Sequence, residues 1–136
     1  MQYQPLLLAA LAALTTAATT PPHLTLSYGA VSADLIILSN DIALTGPSSS
    51  SAAAYKKAYS DLQKFQIATG DTPNHPCPAV PISAVETKEQ AEEYVVKTEE
   101  IAMAAFRGVL VGRAGTQICR AEQYLSAVGD YVKGSA

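Results

Sequence analysis

Apolar residues recur at steps of three and four along most of this chain. Between 31 and 44, Val31, Leu35, Leu38 and Ile42 fall on one helical face. Ser27 or Ser32 can cap the start of this helix, and Gly46-Pro47 ends it. The run Leu35 to Leu38 is apolar on all sides, so a buried strand is the lesser alternative there. Just upstream, Leu24, Leu26 and Tyr28 alternate with Thr25 and Ser27, the pattern of a short extended piece.

A second helix is expected from Ala52 to Thr69. Tyr55, Ala58, Leu62, Phe65 and Thr69 share its inner face, while Lys56, Lys57, Asp61 and Lys64 lie elsewhere. Ser51 is its expected cap and Gly70 its stop. The third and longest helix runs from Glu86 to about Gly112. Ala91, Val95, Thr98, Ala102, Ala105 and Val109 form its seam, widened by Tyr94 and Ile101. Ser83 or Thr87 caps it, Glu86 and Glu89 suit its positive end, and Glu93 pairs with Lys97 one turn on. Gly108, Gly112 and Gly115 break the rhythm, and a turn at Gly112–Thr116 follows. The last helix, from about Gln117 to Val132, carries Ile118, Ala121, Leu125, Val128 and Val132 on one face.

Four amphipathic helices with mostly short connections predict an all-α, antiparallel four-helix bundle occupying residues 28–136 as a single domain. The long connection is the exception. Pro73, Pro76, Pro78 and Pro81 exclude a helix there and favour an extended path. Residues 71–84 are therefore expected to lie as a proline-rich strap over the helices.

The N-terminus changes the chemistry expected of the rest. An apolar run from Leu6 to Leu14 is followed by small residues, which reads as a signal peptide over residues 1–18, cut after Ala17 or Ala18. Its n-region lacks Lys and Arg. The apolar run is too short to span a bilayer, and no later run approaches the ~20 residues a transmembrane anchor needs. Residues 19–27 are expected to be a disordered Thr/Pro tail. Secretion, in turn, means an oxidising setting, in which Cys77 and Cys119, the two cysteines, are expected to pair. Closing that loop contributes roughly 4 kcal/mol in the chain-entropy account. In a strict up-down-up-down bundle the two cysteines start at opposite ends, so the strap would have to climb the bundle to bring Cys77 to Cys119.

The net charge of −3 and nine basic residues argue against nucleic acid as a partner. No metal-binding, cofactor-binding or nucleophile motif is present, so neither a cofactor nor a catalytic residue is expected. The histidines, His23 and His75, sit in loop-like sequence, and a disulfide would remove Cys77 as a nucleophile beside His75. Glu86, Glu89, Glu93 and Glu100 read as a solvated helix face. Arg107, Arg113 and Arg120 lie in a stretch free of acidic residues and form a candidate anion site.

The segments SADLIILSNDIALTG and ICRAEQYLSAVGDYV, with the alanine-rich helices between them, resemble the fungal hydrophobic surface-binding protein A family, also called cell-wall galactomannoproteins, over about residues 27–133. The cysteine pair and the proline strap depart from that family's pattern, and no functional residue is carried over. The resemblance implies a small secreted helical domain associated with hydrophobic surfaces, the cell wall, or in some members fatty acids.

Two readings follow. In the first, the protein binds a lipid or hydrophobic surface without covalent chemistry. The lining would be Leu38, Ile42, Leu62, Phe65, Ile101, Ala105, Val109, Leu125 and Val128, so that Phe65→Ala or Leu125→Ala would alter binding. In the second, it is a secreted effector or cell-wall component with a filled core, acting through its surface on a host or cell-wall protein.

Overall fold

The computed structural model of the protein describes residues 22–70, 81–111 and 118–134. Among them are four helices and no strand: α1 (Pro22–Thr45), α2 (Ser49–Ala68), α3 (Lys88–Leu110) and α4 (Ile118–Lys133). The signal-peptide segment, residues 19–21 of the expected Thr/Pro tail, Cys77, His75 and Arg113 lie outside the described residues.

The first helix corrects the expectation at its start. Residues 22–27 are helical, neither a disordered tail nor an extended piece. Leu24 and Tyr28 carry the three-and-four rhythm of Val31, Leu35, Leu38 and Ile42 back by two turns, and Leu24 is fully buried. Pro22 stands at the first helical position, where its fixed φ and missing N–H cost nothing. Ser27 and Ser32 are consequently inside the helix and cap nothing.

Its exit is a tight turn. The Gly46 N–H reaches the Ile42 carbonyl at 2.8 Å, and Gly46 adopts φ +59, a conformation that favours glycine. Ser48, rather than Ser51, is the N-cap of α2. Its Oγ accepts the Ser51 N–H at 3.1 Å, and the Ser51 Oγ accepts the Ser48 N–H at 2.9 Å. This is a capping box with serine in the place usually held by Glu or Gln. At the far end of α2, Gly70 supplies the positive φ that terminates the helix, as its position in the sequence suggested. For α3 the cap is Thr87, paired with Gln90, whose Oε1 accepts the N–H groups of both Thr87 and Glu86.

Each helix packs against two neighbours: α1 on α2 and α3, and α4 on the same pair. The seams Leu35/Leu38/Ile42, Ala58/Leu62/Phe65, Ala91/Val95/Ala102 and Ile118/Leu125/Val128/Val132 meet in one core. At the α2–α4 crossing the Tyr55 ring lies flat on the α4 backbone. A Cβ at Gly129 would fall 2.3 Å from the Tyr55 Cζ, so only glycine permits that approach. Lys133 Nζ covers the ring at 5.2 Å from its centroid.

The chain direction follows from which residues meet. Lys88 Nζ donates to the Ala43 carbonyl at 3.2 Å and Tyr28 stacks on Phe106, so α3 runs antiparallel to α1. The three-residue turn makes α2 antiparallel to α1 as well. Tyr94 against Tyr124 and Tyr55 against Gly129 set α4 antiparallel to both α3 and α2. All packed neighbours are antiparallel, but the order is up-down-down-up. The connection from α2 to α3 therefore travels the bundle's length, about 30 Å for a helix the size of α2. Its described part, residues 81–87, lies on α3 and α4: Tyr94 Oη donates to the Ser83 carbonyl at 2.9 Å, and Ile82 and Val85 lie beside α4.

This topology also revises the reason for the climb. Cys119, in the first turn of α4, sits at the end where α2 finishes. The parallel directions of α2 and α3 set the length of their connection, and the expected Cys77–Cys119 pairing lies partly outside the described residues.

Candidate functional site

The residues expected to line a hydrophobic site are the bundle's packing core. Leu38, Ile42, Leu62, Phe65, Leu125 and Val128 are fully buried, Ala105 nearly so, and Ile101 and Val109 close the edge of the same cluster. The cluster combines large side chains, Phe65 and the leucines, with small ones, Ala58, Ala91, Ala102 and Ala121. At one end Tyr28 joins three helices. Its ring stacks on Phe106 at 4.6 Å and meets Phe65 at 5.7 Å.

The unusual face is on the outside. α1 spreads its apolar residues over all its sides, unlike α3 and α4, which are clearly two-faced. Its outward side carries Leu26, Ile37 and Leu44, exposed at 75%, 51% and 83%. Steps of 11 and 7 residues return to nearly the same helical angle, so these three form one line. Ala33 and Ala30 fill the spaces, and Asn40 is the one polar residue in the line's centre. The row from Leu26 to Leu44 extends over about 27 Å. α1 contains no Lys or Arg, and its two carboxylates, Asp34 and Asp41, stand off this row. No described helix is long and apolar enough to cross a membrane.

Two carboxyl groups are set into the bundle. Asp34 of α1 is only 5% exposed and is close enough to the carboxyl of Asp61 on α2 for each to shift the other's titration. Lys57 Nζ lies 3.5 Å from Asp34 Oδ1 and 3.2 Å from Asp61 Oδ2. Burial first, and Asp61 second, push the Asp34 carboxyl up to about 6; the neighbouring Asp34 chiefly draws that of Asp61 down. On the other flank of α1, Glu99 of α3 accepts from Tyr28 Oη at 3.0 Å and Ser32 Oγ at 3.4 Å. Burial and the Glu99 charge raise the Tyr28 phenol well above its ordinary range. Both groups tie α1 to its neighbours, Asp34 to α2 and Tyr28 and Ser32 to α3. The Glu100 side of α3, singled out by sequence spacing, is its exposed side.

The arginines of the candidate anion site have separate surroundings. Arg107 is exposed in the last turn of α3, near enough to Tyr28 for its charge to be felt there. Arg120 donates to Gln123 Oε1 at 3.2 Å and lies 5.1 Å over the Tyr124 ring. Among the described residues, no group of three or more His, Cys, Asp or Glu is arranged to hold a metal ion.

No protein-family model matches the chain, and no curated protein or solved structure does either.

Proposed function

We propose that the protein is a secreted, non-catalytic domain that attaches to neutral hydrophobic surfaces through the outward face of α1. The observation that carries this reading is the line Leu26–Ile37–Leu44. A row of large apolar side chains along one helix that carries no Lys or Arg of its own costs solvation in a free monomer and is recovered when an apolar layer covers it. The absence of Lys and Arg on α1 selects an uncharged surface over an anionic one. The resemblance of residues 27–133 to hydrophobic surface-binding proteins points the same way. The seam residues then serve the fold, and the contact is made outside it.

The test is adsorption to octyl-coated beads. Covering one leucine contributes about 2 kcal/mol, so Leu44→Ser should weaken adsorption by about tenfold or more while leaving the unfolding midpoint nearly unchanged. Adsorption should also persist in high salt, which screens charge but not apolar contact. An unaltered isotherm for Leu44→Ser, or release by salt, would remove α1 from the contact.

The reading includes a Cys77–Cys119 disulfide and a strap completed by residues 71–80. Its support is that Cys119 and Cys77 are the chain's two cysteines, which an oxidising setting would pair. Cys119 also stands at the end of the bundle from which the strap departs. Intact mass before and after reduction decides it: the native protein should be two hydrogens lighter and should resist alkylation. Alkylation of both cysteines without reduction would refute the bond.

A further inference from the structure

We propose that the cleft between residues 82–85 and the outer face of α4 binds a compact amphipathic amine. The cleft has a volume of about 350 Å³. That is at the small end of ligand pockets, suiting on the order of ten to fifteen non-hydrogen atoms. Its walls differ in character. Ile82, Val85 and Ala127 supply an apolar side, and Gln123, Ser126 and Asp130 supply hydrogen-bonding groups at helical steps of three and four.

The wall formed by the strap is held in place at two points. Tyr94 Oη grips the Ser83 carbonyl, and Gln90 takes the N–H groups of Glu86 and Thr87. The gap under this segment is thus bounded by tethered backbone on one side and a helix on the other. Among the described residues that line the cleft, Asp130 is the only charged side chain, and no Lys, Arg or His is there. The nearest basic residue in sequence, Lys133, is turned onto the Tyr55 ring. An ammonium group placed at Asp130 gains a charge-assisted hydrogen bond, with Ser126 and Gln123 able to accept as well. A carboxylate at the same place is repelled. The hydrocarbon part of the ligand then lies against Ile82, Val85 and Ala127. This cleft shares no lining residue with the α1 row Leu26–Ile37–Leu44.

Octylamine, octanol and octanoate, each titrated below its self-association limit into the full chain, separate the contributions. Octylamine should bind saturably and shift the amide resonances of residues 123–131. Octanol should bind about tenfold more weakly, and octanoate not measurably. Asp130→Asn should bring octylamine down to the level of octanol, and Ala127→Leu should fill the cleft and abolish binding of both. Leu44→Ser should leave octylamine binding intact even where it impairs adsorption to beads, so the two sites fail separately. Equal binding of octanoate and octylamine, or an unchanged octylamine isotherm in Asp130→Asn, would overturn the proposal.

Discussion

Replacing Phe65 with alanine should destabilise the protein by about 3–5 kcal/mol, enough to consume a large part of a small domain's total stability. Phe65 has no exposed surface and is the largest fully buried side chain of the core. It projects from α2 toward the end of the bundle where Tyr28 of α1 and Phe106 of α3 are stacked. Truncation removes its transfer free energy and leaves a void. The walls of that void cannot simply close: Tyr28 is held by its hydrogen bond to Glu99 and by the Phe106 ring. Ile67, two residues further along α2 and 63% exposed, supplies the internal control, because Ile67→Ala should change stability by no more than about 0.5 kcal/mol. Urea denaturation of the two variants measures both. A Phe65→Ala protein with near-wild-type stability but altered affinity for apolar ligands would instead return Phe65 to a ligand cavity and favour the first of the two sequence-based readings.

That contrast marks the limit of reading function from the seam. The four helical seams were legible because three-and-four spacing is a property of local geometry: Ile118, Ala121, Leu125, Val128 and Val132 could only share a face if helical. The same spacing could not say whether the shared face encloses a ligand or another helix. The beginning of α1 was misread for a local reason. Leu24-Thr25-Leu26-Ser27-Tyr28 satisfies a period of two as well as a helical period, and the preceding Thr/Pro composition favoured a loop. Helical Leu24 and Leu26 then have opposite fates, one in the core and the other at the start of the outer row.

Of the outer row only Ile37 lies in the apolar run Leu35–Leu38, a run that fits a helix and a buried strand alike. Ile37 acquires significance only when Leu26 and Leu44 fall in line with it. The direction of α3 was not legible, since an up-down-up-down path and the observed one use the same helices; only the length of the α2–α3 connection hinted at a lengthwise crossing. Asp34 and Asp61 had no signature at all. Their meeting depends on the register of α1 against α2, and Asp61 alone looks like any surface acid on a lysine-rich helix. Glu99 is indistinguishable in sequence from the other glutamates of α3 for the same reason.

The Asp34–Asp61 contact makes stability fall as pH rises through the mildly acidic range, and Asp34→Asn should abolish that fall. In the folded protein Asp34 holds its proton up to about 6, against 3.8 when free. Between those values the native state binds a proton that the unfolded chain has released. Stability therefore declines as pH increases from about 4 to about 6 and levels off above, by roughly 3 kcal/mol if the whole displacement is expressed. Asp61 acts with the opposite sign. Its carboxyl is held below 3.8, so its contribution is present above that value and is lost only as pH drops further, outside the window set by Asp34. Lys57 tempers the repulsion between the ionised pair, but it is largely exposed and well solvated, while Asp34 is not. Asparagine at 34 retains an N–H donor for the Asp61 carboxylate and has no proton to lose. The variant should show a flat stability profile from pH 4 to 7 and should exceed the wild type at pH 7, where the native pair carries two charges in one partly dry seam. Urea midpoints at pH 4, 5, 6 and 7 for both proteins decide the matter. A wild-type profile without decline, or an Asp34→Asn profile with the same slope, would show that the two carboxyl groups do not share a proton across the α1–α2 interface.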